Sequence, residues 1–169
     1  MKPAADRSRP FKPPLWVCPR CGKRFVTPNM AHSCQSRTID EQFAGRPRAR
    51  ELFEAYRGAV ESLGPVTLVL NKTAIAFMTR VRFAGCQPRR EHLRTTLWLK
   101  RRVESARFAR VDFYGHNDWV YTIDLRDEAE IDGELMTLLR EARAVGDQEH
   151  LRGRSREVSR QAARSADRP

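Results

Sequence analysis

No stretch of this sequence stays apolar for anything near the ~20 residues that a bilayer-crossing helix needs, so no membrane span is expected. The first fifteen residues include Lys2, Asp6, Arg7, Arg9 and Lys12 and lack the apolar run of a secretory leader. Cysteine is scarce, at four residues. Three of them lie close together and Cys86 stands alone, which fits a metal motif in a reducing compartment better than a disulfide framework. A soluble cytoplasmic protein is the expectation. Also missing are a phosphate-binding glycine loop, G-x-S-x-G and H-E-x-x-H, and with them the usual sequence signatures of nucleotide hydrolysis, serine hydrolysis and zinc proteolysis. No internal repeat is present. Lysine is rare as well, five residues against 27 arginines.

What is present is positive charge. The 169 residues carry a net charge of +11, unevenly spread. Residues 1–47 hold nine Lys/Arg against three Asp/Glu, and residues 80–110 hold ten against two, whereas residues 111–146 hold three against nine. A basic face attracts nucleic acid, acidic protein or anionic lipid. Arginine suits phosphate forks and aromatic stacking, although genomic base composition alone also produces such a bias.

The chemistry-bearing motif is C-x2-C-x10-H-x-C, formed by Cys18, Cys21, His32 and Cys34. Two thiolates two residues apart share one metal through a tight turn, for which Pro19 and Gly22 supply the chemistry. His32 and Cys34 point the same way in an extended stretch. Four protein ligands leave no open position, so the expected cofactor is a single structural Zn2+. The first half resembles a zinc ribbon and the second is more compressed. Folded on the ion, residues 15–34 become a rigid carrier for Arg20, Lys23 and Arg24.

Around this unit, residues 1–14 read as a disordered basic arm and 35–47 as a linker. Residues 48–146 form an α+β domain, and 147–169 a disordered Arg-rich tail. Leu52, Phe53, Tyr56, Ala59, Val60 and Leu63 mark one face of a helix that Gly64-Pro65 stops. Strands are predicted over 66–70, 73–83, 93–100, 111–114 and 119–125, with Gly85-Cys86-Gln87-Pro88 as a turn. A second helix is predicted to start at Asp127, with Glu130 completing a capping box, and to end at Gly146. Strands joined by short turns favour a mainly antiparallel sheet, here flanked by two helices and preceded by the small zinc ribbon or knuckle.

From about Phe43 to Ala144 the chain resembles a bacterial domain-of-unknown-function family, number 5655. The resemblance rests on E-L-F in the first helix, L-G-P-V, N-K-T-A-I-A-F, L-W-L-K, N-D-W-V-Y and the closing E-L-M-T-L-L-R-E-A helix. Members with a zinc-ribbon head like L-W-V-C-P-R-C-G-K-R-F are especially similar. The resemblance implies an α+β fold and carries over no activity or functional residue.

Strand alternation places Arg80, Arg82, Arg94, Trp98 and Lys100 on one outward face, cations around an indole. Such a surface can track phosphates and stack a base. The plainer alternative is a solvated sheet face with arginine stems lying over a tryptophan. Lys72 at a strand start, His116 with Asp118, and His92 with Glu91 each suggest acid–base or anion chemistry, but ordinary turn and surface roles explain them too. Cys86 has no neighbouring histidine and reads as an inert thiol. The sequence therefore favours binding over catalysis. The expected partner is nucleic acid, engaged through phosphates by Arg20, Lys23 and Arg24 of the head together with the basic sheet residues. Two rivals stand beside it: docking of an acidic protein partner, and a small-ligand or enzymatic domain using Lys72, His116 and Trp119.

Overall fold

The computed structural model describes residues 13–29, 32 and 34–151. Most of the expected N-terminal arm and Arg-rich tail lies outside the described residues. The chain is an α+β protein. Its two-stranded β1 (Trp16–Val17) and β2 (Arg24–Phe25) precede two helices, α1 (Ile39–Phe43) and α2 (Pro47–Ser62). Six strands follow: β3 (Thr67–Leu70), β4 (Ile75–Met78), β5 (Arg82–Pro88), β6 (Leu93–Leu99), β7 (Arg110–Phe113) and β8 (Trp119–Leu125). A 3-10 turn, Glu128–Glu130, leads into α3 (Gly133–Gly146). The six strands form one antiparallel sheet in the order β3-β4-β5-β6-β8-β7. Among the described residues no helix is long and apolar enough to cross a membrane.

The two-residue period of β6 organises the layers. Leu93, Thr95, Leu97 and Leu99 are buried, while Arg94, Thr96 and Trp98 alternate with them on the open face. Leu97 lies opposite Ala84 of β5 and Tyr121 of β8, so three central strands send apolar groups to one side. Both long helices cross that side over β5 and β6. From α2 come Leu52, Phe53, Tyr56 and Val60, and from α3 Leu135, Leu138, Leu139 and Ala142. Each fully buried Leu or Phe contributes about 1.5–3 kcal/mol by its removal from water. Cys86 is part of this core, and burial pushes its thiol far above the ordinary range, which makes it inert.

Three local expectations change. The strand predicted over 73–83 is β4, a tight turn and the start of β5, and the predicted turn Gly85–Pro88 lies inside β5. The true turn has no glycine or proline. It is held from outside, by the Arg80 and Val81 N–H groups donating to the Gly146 carbonyl at 3.2 and 3.1 Å. A Cβ on Gly146 would stand 2.7 Å from Phe83 Cδ1, so only glycine lets the end of α3 come this close. The capping box of Asp127 and Glu130 exists, but it caps only the 3-10 turn. Ile131 then leaves helical geometry, and α3 starts at Gly133 under the side chain of Asp132, which accepts from Leu135 N at 2.9 Å. Finally, α1 lies in the stretch expected as a linker. Thr38 and Glu41 close a capping box around its start, with side-chain bonds of 3.1 and 2.7 Å.

Candidate metal centre and basic cleft

The N-terminal unit is built by one turn. Trp16 pairs with Phe25 and Val17 with Arg24. Between them Cys18 N donates to Lys23 O at 2.9 Å and Gly22 N to Cys18 O at 2.8 Å. Gly22 sits at φ +70, a left-handed position that glycine takes without strain. This turn sets Cys18 and Cys21 side by side. His32 is packed against Phe25, ring centroids 4.5 Å apart, with Trp16 edge-on at 6.4 Å.

The ligand atoms of Cys18, Cys21, His32 and Cys34 all lie within 4.8 Å of one another. His32 Nε2 is 3.3 Å from Cys21 Sγ and 3.5 Å from Cys34 Sγ. Thiolate and imidazole bonds of ~2.3 and ~2.0 Å give a tetrahedron with edges just under ~4 Å. The four residues are therefore close enough to hold one metal ion. The thiols are already differentiated. Burial disfavours the Cys18 thiolate, but hydrogen bonds from the Arg20 and Cys21 backbone, and from the Cys21 and His32 side chains, outweigh it and bring its pKa down to about 6. Burial raises the pKa of Cys34, and Cys21 and Cys18 add to the effect.

Of the residues expected on one outward face, Arg82, Arg94 and Trp98 share the open face of the sheet, but the cations differ in what they bind. Arg94 is clamped by Asp124 on β8 through two bonds of 2.7 Å, and Lys100 is bonded to Asp118. Arg80 lies in the β4–β5 turn and donates to Gln148 Oε1 and Pro13 O, both at 3.0 Å. Arg20 and Arg24 are exposed. Arg82 reaches the open face, its guanidinium 4.3 Å from the centroid of the Trp98 ring. Burial holds the Arg82 pKa below its ordinary value.

What the strand pattern did not reveal is a cleft of about 530 Å³ between the N-terminal unit and the β3–β5 edge of the sheet. Phe25, Val69, Ala76 and Met78 give it an apolar lining, and Lys23, Lys72, Arg80 and Arg82 give it four cations. Among the described residues no carboxylate lines it. Several arginines elsewhere are matched, as in Arg50 with Asp40, Arg57 with Glu61, Arg101 with Glu141 and Arg107 with Asp132. Among the described residues Lys72, Arg80 and Arg82 form no ion pair. Lys23 ties the two walls together by donating to Asn71 Oδ1 at 3.1 Å. The cleft could not be read from the sequence, because it is made by docking two segments some fifty residues apart.

The possible enzymatic set is not assembled. Lys72 lines the cleft, but His116 is exposed in the β7–β8 turn, and Trp119 stacks on Phe113 at 4.6 Å. His92 lies 3.4 Å from Asp124, and burial lowers its pKa.

The fold and the site define a small α+β domain headed by a three-cysteine, one-histidine cluster able to hold a metal. The chain belongs to the family described as domain of unknown function 5655, whose model matches residues 39–143, more than half of the chain. The match runs from the start of α1 into α3 and leaves the metal unit in front of it. Neither a curated protein nor a solved structure matches the chain.

Proposed function

We propose that the protein is a zinc-stiffened binding module for single-stranded nucleic acid. Three thiolates and one imidazole within reach of one another favour Zn2+ among the common metals, in a closed structural site. When bound, the ion supplies the cross-link that a segment too short for its own core lacks. The remaining work belongs to the chain. The observation that carries the reading is the cleft, with cations at its rim, an apolar floor and, among the described residues, no carboxylate. Lys23, Lys72 and Arg80 attract phosphate oxygens, while the floor and the Arg82–Trp98 pair accept the faces of bases. A duplex has its base faces covered and cannot use such a floor, hence the preference for single strands.

The test is fluorescence anisotropy with labelled single-stranded DNA and RNA over a salt series. About three phosphate contacts predict a log–log slope near −2, from ~0.7 per phosphate. The Lys72→Glu/Arg82→Glu pair should weaken binding at least about tenfold. Arg126→Glu/Arg140→Glu, two exposed changes outside the cleft lining, matches the change in net charge and should have little effect. Absence of binding at low salt, or equal losses in both variants, sinks the reading.

A protein partner is the second reading, favoured by the edge strand β7, where Val111, Phe113 and adjoining Tyr114 are exposed. Substituting Phe113 and Tyr114 by Ser would then abolish partner capture and leave nucleic-acid affinity unchanged.

A further inference from the structure

A second pocket, of about 260 Å³, adjoins the cleft and shares Lys72 and Thr73 with it. It lies where the α1–α2 corner meets the turns after β3 and β5. Arg37, Arg46, Lys72 and Arg89 line it, and among the described residues no carboxylate does. Among the described residues none of these four cations forms an ion pair. The nearest acids in sequence are committed elsewhere: Glu41 closes the α1 capping box, Asp40 binds Arg50 and Glu91 binds Arg90. Four like charges around one small space repel one another, and a bound anion reverses that repulsion.

Two buried atoms sharpen the chemistry. Gln42, 3% exposed, donates its Nε2 to Asn71 O at 3.1 Å. That bond fixes the orientation of the amide and leaves Oε1, a buried acceptor, without a partner among the described residues. Arg89 donates through Nη2 to Gln87 Oε1 at 2.8 Å, while its buried Nε has no acceptor among the described residues. Buried polar atoms are nearly always satisfied, so a missing donor and a missing acceptor in one basic pocket point to a ligand that supplies both. Phosphate oxygens supply the acceptor and a neighbouring sugar hydroxyl the donor. A phosphomonoester carries about −1.5 to −2 charge near neutral pH, whereas a mid-strand diester carries −1, so four cations suit the monoester.

We propose that this pocket binds a sugar phosphomonoester. Arg89, Arg37, Arg46 and Lys72 hold the phosphate oxygens, and Gln42 Oε1 accepts from an adjoining hydroxyl. The proposal rests on the nucleic-acid reading only for the source of the phosphate. Because the pocket opens into the cleft at Lys72 and Thr73, a strand lying in the cleft presents its phosphorylated end here.

The experiment uses the full chain. One labelled ribo-oligonucleotide is titrated in 5′-phosphorylated, 3′-phosphorylated and hydroxyl-ended forms. Each of the four common ribonucleoside 5′-monophosphates is titrated separately by calorimetry. One phosphorylated end should bind at least about tenfold tighter than the hydroxyl-ended form. Arg37→Gln/Arg46→Gln, at two exposed positions, should erase that gain and leave the hydroxyl-ended affinity within about twofold; Arg89→Gln should do the same. Mononucleotide binding that the double variant abolishes, with no oligonucleotide bound in any form, supports the pocket and removes the nucleic-acid reading. Equal affinity for all ends with no mononucleotide binding overturns the proposal, as does a gain that survives both variants.

Discussion

The guanidinium of Arg82 sits over the indole of Trp98, 4.3 Å from the ring centroid, and a β-bulge puts it there. Phe77 pairs with Ala84 and Met78 with Arg82, so Phe83 is the extra residue of β5. The bulge lets Phe83 stay fully buried while Arg82 returns to the open face. The contact holds an aromatic surface beside Arg82, one of the cations that line the cleft.

Arg82→Ala should therefore separate stability from binding. Loss of a partly exposed cation–π contact costs about 0.5–1 kcal/mol of folding free energy. The same change removes a cleft cation and should weaken single-strand binding by several-fold or more. Urea unfolding and anisotropy on one variant check both halves, and an unchanged affinity counts against the cleft as the binding site.

Purified without chelator, the protein should contain one zinc per chain by elemental analysis. Chelation, or Cys18→Ser, should abolish amide protection over 16–25 and spare β4 to β8, because the buried sheet core does not involve the metal unit. Protection of 16–25 that persists after complete metal removal contradicts a structural ion.

Gly146→Ala should destabilise the domain by about 1–3 kcal/mol. The added methyl would meet Phe83 Cδ1 at 2.7 Å, Thr79 Oγ1 at 2.8 Å and Phe83 Cβ at 2.9 Å. It would also push away the carbonyl that receives the Arg80 and Val81 N–H groups. The denaturant midpoint reports the change, and a midpoint equal to wild type shows that α3 can shift freely.

Acid should weaken the fold in two stages. Burial lowers the His92 pKa, so the folded state favours the neutral ring, and stability falls as pH drops below the unfolded value of ~6.5. The hydrogen bonds from Arg94 hold the Asp124 carboxyl below its ordinary range. Its stabilisation is full above the unfolded value of ~3.9 and is lost as pH falls through the lower folded value. Asp124→Asn should remove the second stage, seen as a flatter stability–pH curve below about pH 4. A curve parallel to wild type there assigns the acid loss to other groups.

Much of the fold was legible because its signals are short-ranged. The alternation of β6, the apolar face of α2 and the ligand spacing each lie within a few residues of chain. The T-x-x-E box of Thr38 and Glu41 was equally local and announces α1 inside the expected linker. The hairpin turn at 79–81 was not legible, because its hydrogen-bond partner is Gly146. The same holds for the fate of the cations. Arg94 and Lys100 have the composition of a phosphate-binding face, and only the β6–β8 register shows Arg94 opposite Asp124.

By itself the sequence determined an antiparallel α+β domain and a set of four ligands at metal-binding spacing, since periodicity, capping and turn chemistry act between near neighbours. The tertiary structure alone decided which positive charges are neutralised and which stay available. Strand register and the docking of the metal unit place residues thirty to fifty positions apart within hydrogen-bonding distance, and Coulomb energies depend on distances of that order rather than on separation along the chain.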